Sequence, residues 1–200
     1  MPKLTLDDIV DLRAYERERE EFRAGIIALK KRRRISVGPV VTFVFENADT
    51  VRFQIQEMAR VEKTITDEGI ETELRIYNPL VPDPGNLAAT MFIELTSDDA
   101  LRNWLPRLVG IERAIRLRIG EGAEAISVAN TVDADHEKQL TRDEITASVH
   151  YIHFSLTADE VERFAVGPVV LAVDHPEYGY ETTLGPDTVA ELLRDLREGG

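Results

Sequence analysis

Apolar residues along this chain follow two rhythms, one helical and one extended. Phe22, Ile26 and Leu29 recur at spacings of four and three within a densely charged stretch, which predicts a helix from about Tyr15 to Arg34. Thr5-Leu6-Asp7-Asp8 reads as an earlier helix start, with acids in its first turn. After Val37-Gly38-Pro39 come Val40, Val41, Phe43, Val44 and Phe45, apolar on both faces, so an interior strand is expected. That strand ends at Glu46. Asn47 or Asp49 then caps a helix predicted to reach about Thr66, Gly69 interrupts it, and a second piece from Ile70 reaches Tyr77. Three prolines within 78–85 make a loop.

A strand over Ala89–Thr96 and a helix opening at Ser97 and carrying Leu101, Trp104, Leu105 and Leu108 come next. Ile115, Leu117 and Ile119 alternate with Arg116 and Arg118 as a half-buried strand, turned at Glu121-Gly122 toward Ile126 and Val128. Residues 130–146 are polar and poor in aromatics, the expected mobile segment. A strand follows over Ser148–Thr157. Thr157 and Glu160 form a capping box for a short helix, Gly167-Pro168 opens a strand over Val169–Val173, and Tyr178 to Leu184 returns as another. Pro186 suits the first position of a final helix with Val189, Leu192, Leu193 and Leu196 inward.

These elements do not alternate strictly. The expected class is therefore α+β, a mixed and largely antiparallel sheet with helices packed mainly on one face. One domain over 1–200 is expected, with sub-units 1–129 and 147–200 sharing the sheet on either side of 130–146. Val37-Gly38-Pro39-Val40-Val41 returns as Val166-Gly167-Pro168-Val169-Val170, and Asp49-Thr50-Val51 as Asp187-Thr188-Val189. A weak duplication of a strand–helix unit accounts for this echo. So does Gly-Pro as common punctuation before a valine-rich strand.

Composition narrows the chemistry. The 200 residues contain no cysteine, which removes disulfides, thiolate metal sites and thiol nucleophiles, and a reducing cytoplasm is the simplest compartment. The N-terminal residues lack the apolar core of a signal peptide, and no run is long enough to span a membrane. A net charge of −13 opposes non-specific nucleic-acid binding. The one basic run, residues 30–34, reads as a solvated helix end matching the helix dipole, with phosphate or an acidic partner as the sharper alternative.

The helix after Asn47 is where polar chemistry concentrates. At about 100° per residue, Val51, Ile55, Met58 and Ile65 share a face, with Glu62 among them and Gln54 and Val61 at its edge. Arg52, Gln56, Arg60 and Lys63 occupy the other side, and Glu57 the rim. A carboxylate drawn into that stripe needs a partner, and Arg19 and Arg33 are the candidates. Val51, Phe53 and Ile55 also alternate, so a strand beginning is the rival assignment, and under it the expectation for Glu62 fails. His150 and His153 lie on opposite faces of one strand and do not chelate one ion, so His150 is expected at the core edge. His175, in Asp174-His175-Pro176, ends a buried strand, and His136 is expected in solvent. The candidate pocket is Glu57, Glu62, Gln54, Gln56, Arg60, His150, His175 and Tyr77. No catalytic motif, metal set or cofactor fingerprint marks it.

Certain segments resemble a bacterial family known as domain of unknown function 3501: Tyr15-Glu16, Phe22-Arg23, residues 26–30, Phe45-Glu46-Asn47, residues 53–58, residues 77–80, Ser148-Val149-His150 and Asp174-His175-Pro176. The resemblance covers nearly the whole chain, from Leu4 to Leu196. It implies no activity and no site residue. By gene company it implies a cytoplasmic role near rubrerythrin-like and iron–sulfur oxidoreductases. Two functions are therefore expected: a non-catalytic accessory partner docking on a redox protein, or an enzyme, small-ligand or metal-binding protein using the Glu, Gln and His pocket.

Overall fold

The computed structural model describes residues 3–132 and 145–200. A 3-10 turn over Leu6–Asp8 precedes α1 (Leu12–Arg33). Asp11 caps α1, accepting from the Arg13 and Ala14 amides. The chain then runs through β1 (Arg34–Val37), β2 (Val41–Glu46), α2 (Ala48–Glu62), α3 (Asp67–Tyr77), β3 (Asn86–Ile93) and α4 (Asp98–Trp104). The remainder is β4 (Ile115–Ile119), β5 (Ile126–Ala129), β6 (Thr131–Val132), β7 (Val149–Ser155), α5 (Ala158–Val166), β8 (Val169–His175), β9 (Tyr178–Thr183) and α6 (Pro186–Glu198).

The α+β expectation holds, but the strands divide into two antiparallel sheets instead of one. The first has the order β1-β2-β3-β7-β6 and the second β5-β4-β8-β9. Alternation decides what each sheet buries. In β2, Val41, Phe43 and Phe45 join Ala89 and Met91 of β3 and Ile152 and Phe154 of β7 on the inner face. They meet Ile115, Leu117 and Ile119 of β4 and Leu171 and Val173 of β8 in one core, closed by Phe164 of α5 and Leu192 and Leu196 of α6. The two proposed sub-units thus interleave: β4 of the first half pairs with β8 of the second, and β3 with β7.

The outer face of the five-stranded sheet is not left to solvent. Val51 and Ile55 of α2, Leu74 of α3, Leu80, Val81 and Ala88 form a second cluster there, with Tyr77 and Tyr151 packed against it. Thr42, Glu46 and Thr90, on that face, are buried as well.

Several boundaries differ from the periodicity. Residue 34 belongs to β1, because α1 stops at Arg33. Gly69 does not break the helix. The break falls at Lys63, whose φ of 56° ends α2, and Gly69 lies inside α3 with its amide on the Thr66 cap. The segment from Val51 is helical, which removes the strand alternative. The two Gly-Pro steps make different connections: Gly38 turns β1 into β2 at φ 70°, whereas Gly167 leaves α5 in extended conformation. The expectations for His136 and for most of segment 130–146 fall outside the described residues.

Tyr178 of β9 ties the two sheets together. Its buried hydroxyl accepts from the Val40 and Val41 amides at 3.0 and 3.1 Å and donates to the Val37 carbonyl at 2.8 Å. A Cβ at Gly38 would lie 2.6 Å from that oxygen, so only glycine fits the turn it grips. Replacing Tyr178 by Phe leaves these backbone groups unpaired, and should cost about 1–3 kcal/mol in urea denaturation. An unchanged midpoint would show that water serves the turn equally well.

Candidate functional site

Most of the polar side chains that stand out on α2 are held in structural contacts. Glu57 faces α1, where Arg19 meets it through two hydrogen bonds of 2.8 and 2.9 Å and the buried Tyr15 hydroxyl donates at 2.6 Å. The Arg19 bond, aided by Tyr15, holds the Glu57 carboxyl at about 2, well below its ordinary 4.5. Gln56, expected on the polar side, is only 2% exposed. The N-terminal segment crosses that side of α2, and the Gln56 amide clamps the Val10 backbone, accepting from its N–H at 2.9 Å and donating to its carbonyl at 3.1 Å. Arg60 donates to Glu16 at 2.6 Å.

Glu62 corrects the central expectation. It is the last residue of α2 and it is exposed. The chain leaves helical geometry at the next residue, so Ile65 never joins the stripe and is 82% exposed. Arg19, its proposed partner, binds Glu57. Arg33, the other one, is fully buried elsewhere and meets Asp195 at 2.7 and 2.8 Å. Burial raises Glu73 and Tyr77, and the Glu62 charge adds to both shifts.

The histidines are dispersed. His150 is buried on the inner face of β7, its Nε2 within 3.0 Å of the Thr146 hydroxyl and 2.9 Å of the Ala147 carbonyl. His175 closes the β8–β9 turn in the other sheet, with Nε2 at 3.1 Å from the Val109 carbonyl and Nδ1 accepting from the Glu177 amide. The basic run is likewise occupied by structure: Arg32 pairs with Glu191, Arg33 with Asp195 and Glu191, and Arg34 with Glu94. Among the described residues no group of three His, Asp or Glu is arranged to hold a metal ion.

Two of the expected residues, Gln54 and Tyr77, do converge. They line a cavity of about 250 Å³ between α2, the end of α3 and the outer face of β2, β3 and β7. Its other polar groups are Lys30, Glu46, Thr90 and Tyr151, and Val51, Leu80, Phe92 and Val149 supply apolar wall. Register explains the convergence. Thr90 pairs with Tyr151 across β3 and β7, while Glu46 stands on the same outer face of β2. The Thr90 hydroxyl donates to Glu46 Oε1 at 2.7 Å. Burial pushes the Tyr151 phenol up to about 12, with Tyr77 and Glu46 adding to it. Burial also raises Tyr77, opposed by a hydrogen bond from Gln54 and reinforced by Glu73 and Glu62. Both phenols therefore stay neutral at physiological pH.

A larger groove, about 430 Å³, opens between the N-terminal segment, α1 and α2. Part of its polar lining is committed: Gln56 to Val10, Asp8 to Thr5, Tyr15 to Glu57, and Arg52 to Asp49 with its guanidinium stacked 4.9 Å from the Phe22 ring, whereas the Glu18 and Glu21 carboxylates on α1 make no ion pair among the described residues. The sheet-face cavity differs in placing its uncommitted polar capacity on the sheet itself, among aromatic and apolar walls: Glu46 Oε2 has no hydrogen bond and Lys30 no ion pair among the described residues. Glu46, Thr90 and Tyr151 were not read as site residues from the sequence. The available signal was a carboxylate ending a strand that is apolar on both faces.

A family model described as protein of unknown function (DUF3501) matches residues 3–196. A solved structure is also similar: the crystal structure of a novel protein of unknown function from Burkholderia pseudomallei K96243, 39% identical with a TM-score of 0.88, the match covering 98% of this chain and 100% of that one. No curated protein matches.

The Glu57 pair sets an acid dependence. Its folded pKa lies below the ordinary value, so its contribution is complete above pH 4.5 and is lost as pH falls toward about 2. Arg19→Leu should therefore lower stability more at about pH 5 than at about pH 3 in urea melts. Equal losses at both pH values would refute the coupling.

Proposed function

The chain belongs to the DUF3501 family of proteins of unknown function, and from that premise we propose that it is a small-molecule binding protein whose ligand occupies the cavity on the outer face of the five-stranded sheet. One observation carries this reading. Glu46 is a carboxylate only 8% exposed, in a partly apolar cavity, with one oxygen on Thr90 and the other without a protein donor. That second oxygen is not one of the fully buried, unpartnered atoms of the described residues, so it is an acceptor that opens onto the cavity and is available to a ligand donor. Around it, two neutral phenols and the Gln54 amide are the convergent polar groups that orient a ligand against apolar wall. The volume, near the lower end for ligand pockets of roughly 300–1,000 Å³, suits a compact molecule with one ring or a short chain.

Gln54 is exposed at the cavity edge, so a larger side chain there closes the site without disturbing the core. Phenol and benzamide should bind the wild type weakly in ligand-observed NMR, and Gln54→Trp should abolish binding while leaving the melting temperature unchanged. Binding that persists in Gln54→Trp, or is absent from the wild type, would overturn the reading.

A second reading, docking on a redox protein in the cytoplasm, is favoured by the net charge of −13, which steers the chain toward a basic partner surface. It predicts co-elution with a rubrerythrin-like protein at low salt that disappears at high salt. Separate elution at low salt would count against it.

A further inference from the structure

We infer that the sheet-face cavity selects a ligand bearing a cationic nitrogen, a protonated amine or amidine, which Glu46 Oε2 accepts between the rings of Tyr77 and Tyr151. The inference rests on the binding role assigned to this cavity and narrows its chemistry.

The donor set points to a cation on geometric grounds. Glu46 Oε1 is satisfied by the Thr90 hydroxyl at 2.7 Å, while Oε2 has no hydrogen bond from any described residue. A carboxylate is an acceptor only, so what completes it must donate, and a charged donor forms the stronger bond. The lining adds the aromatic rings of Tyr77, Tyr151 and Phe92, a residue type whose faces attract positive charge through the ring quadrupole.

The surrounding field has the same sign. The ionised side chains that act on the two phenols are Glu73 and Glu62 at Tyr77 and Glu46 at Tyr151. Behind Glu46, the Arg33 guanidinium does not reverse this, because it is shared between Asp195 and Glu191, two carboxylates for one cation. Lys30 is the cation of the lining. Its ammonium rests 5.9 Å from the centre of the Phe53 ring and forms no ion pair with Glu46. It is a like charge in the lining that lies toward Phe53, so Oε2 is not already occupied by an internal cation. An anionic ligand would instead meet Glu46 directly and pay the repulsion of two like charges in a confined space.

The test compares three probes of one shape on the full-length protein: benzylamine, benzyl alcohol and benzoate, by ligand-observed NMR titration at neutral pH. Benzylamine should bind at least about tenfold more tightly than benzoate, and Glu46→Gln should weaken it about tenfold or more while changing benzyl alcohol by less than about twofold. Gln at this position still accepts from Thr90, and a thermal melt checks that the fold is retained. Should Glu46→Gln not fold, Lys30→Met provides the independent measurement: removing the like charge from the lining should tighten benzylamine severalfold. Benzoate binding as well as benzylamine overturns the inference, as does benzylamine affinity unaffected by Glu46→Gln or, in its absence, by Lys30→Met. Benzyl alcohol or benzoate binding that Gln54→Trp abolishes would then leave the cavity a ligand site of different chemistry. No binding by any probe overturns both.

Discussion

The structure depends on one buried ion pair. Arg33, the last residue of α1, is fully buried and grips Asp195 of α6 through two hydrogen bonds, with Glu191 at 3.3 Å. Its Nη1 also lies 3.4 Å from the carbonyls of Phe45 and Glu46 at the end of β2. Removing two charges from water is repaid only when the geometry is this close and directional. The pair is not perfectly compensated. Arg33 Nε has no partner, and burial pushes the Asp195 carboxyl up against the pull of the guanidinium. What that expense secures is position: three elements distant in sequence meet at one guanidinium, and the end of β2 is held where Glu46 enters the sheet-face cavity.

The same sheet thus serves two purposes. Its inner face is a dry apolar layer pressed against the second sheet, and Tyr178 locks the two together at the β1–β2 turn. Its outer face is covered by helices but not sealed, because Thr90, Glu46 and Tyr151 take positions where aliphatic side chains would close the gap. The helices above are stiffened independently. Glu57 with Arg19 and Tyr15, and Gln56 with Val10, fasten α2 to α1 and to the N-terminal segment. These polar contacts consolidate the roof of the cavity and leave Gln54 as the side chain of α2 that joins Tyr77 at its edge.

Much of the fold was legible from pattern. The fully apolar run at 41–45 is an interior strand, Ile115 to Ile119 alternates as expected, and the capping box at Thr157 and Glu160 opens α5. His150 and His153 do point to opposite faces of β7. The site was only half legible. Gln54 and Tyr77 were identified, but Glu62 was placed by extending the helical stripe past a residue that adopts left-handed geometry. Lys63 is an ordinary lysine in sequence, and nothing local announces that α2 stops there.

Local rules therefore determined the elements, their inward faces and the absence of thiol chemistry, since capping, alternation and residue type act over a few neighbours. Tertiary structure alone decided that the strands form two sheets, that Arg33 leaves the basic run for the core, and that Glu46, Thr90, Tyr151 and Tyr77 share a cavity. Those outcomes depend on register and on partners tens to more than a hundred residues away. The free energy of burying a charge or pairing an edge is set by what arrives there, not by the residues beside it in the chain.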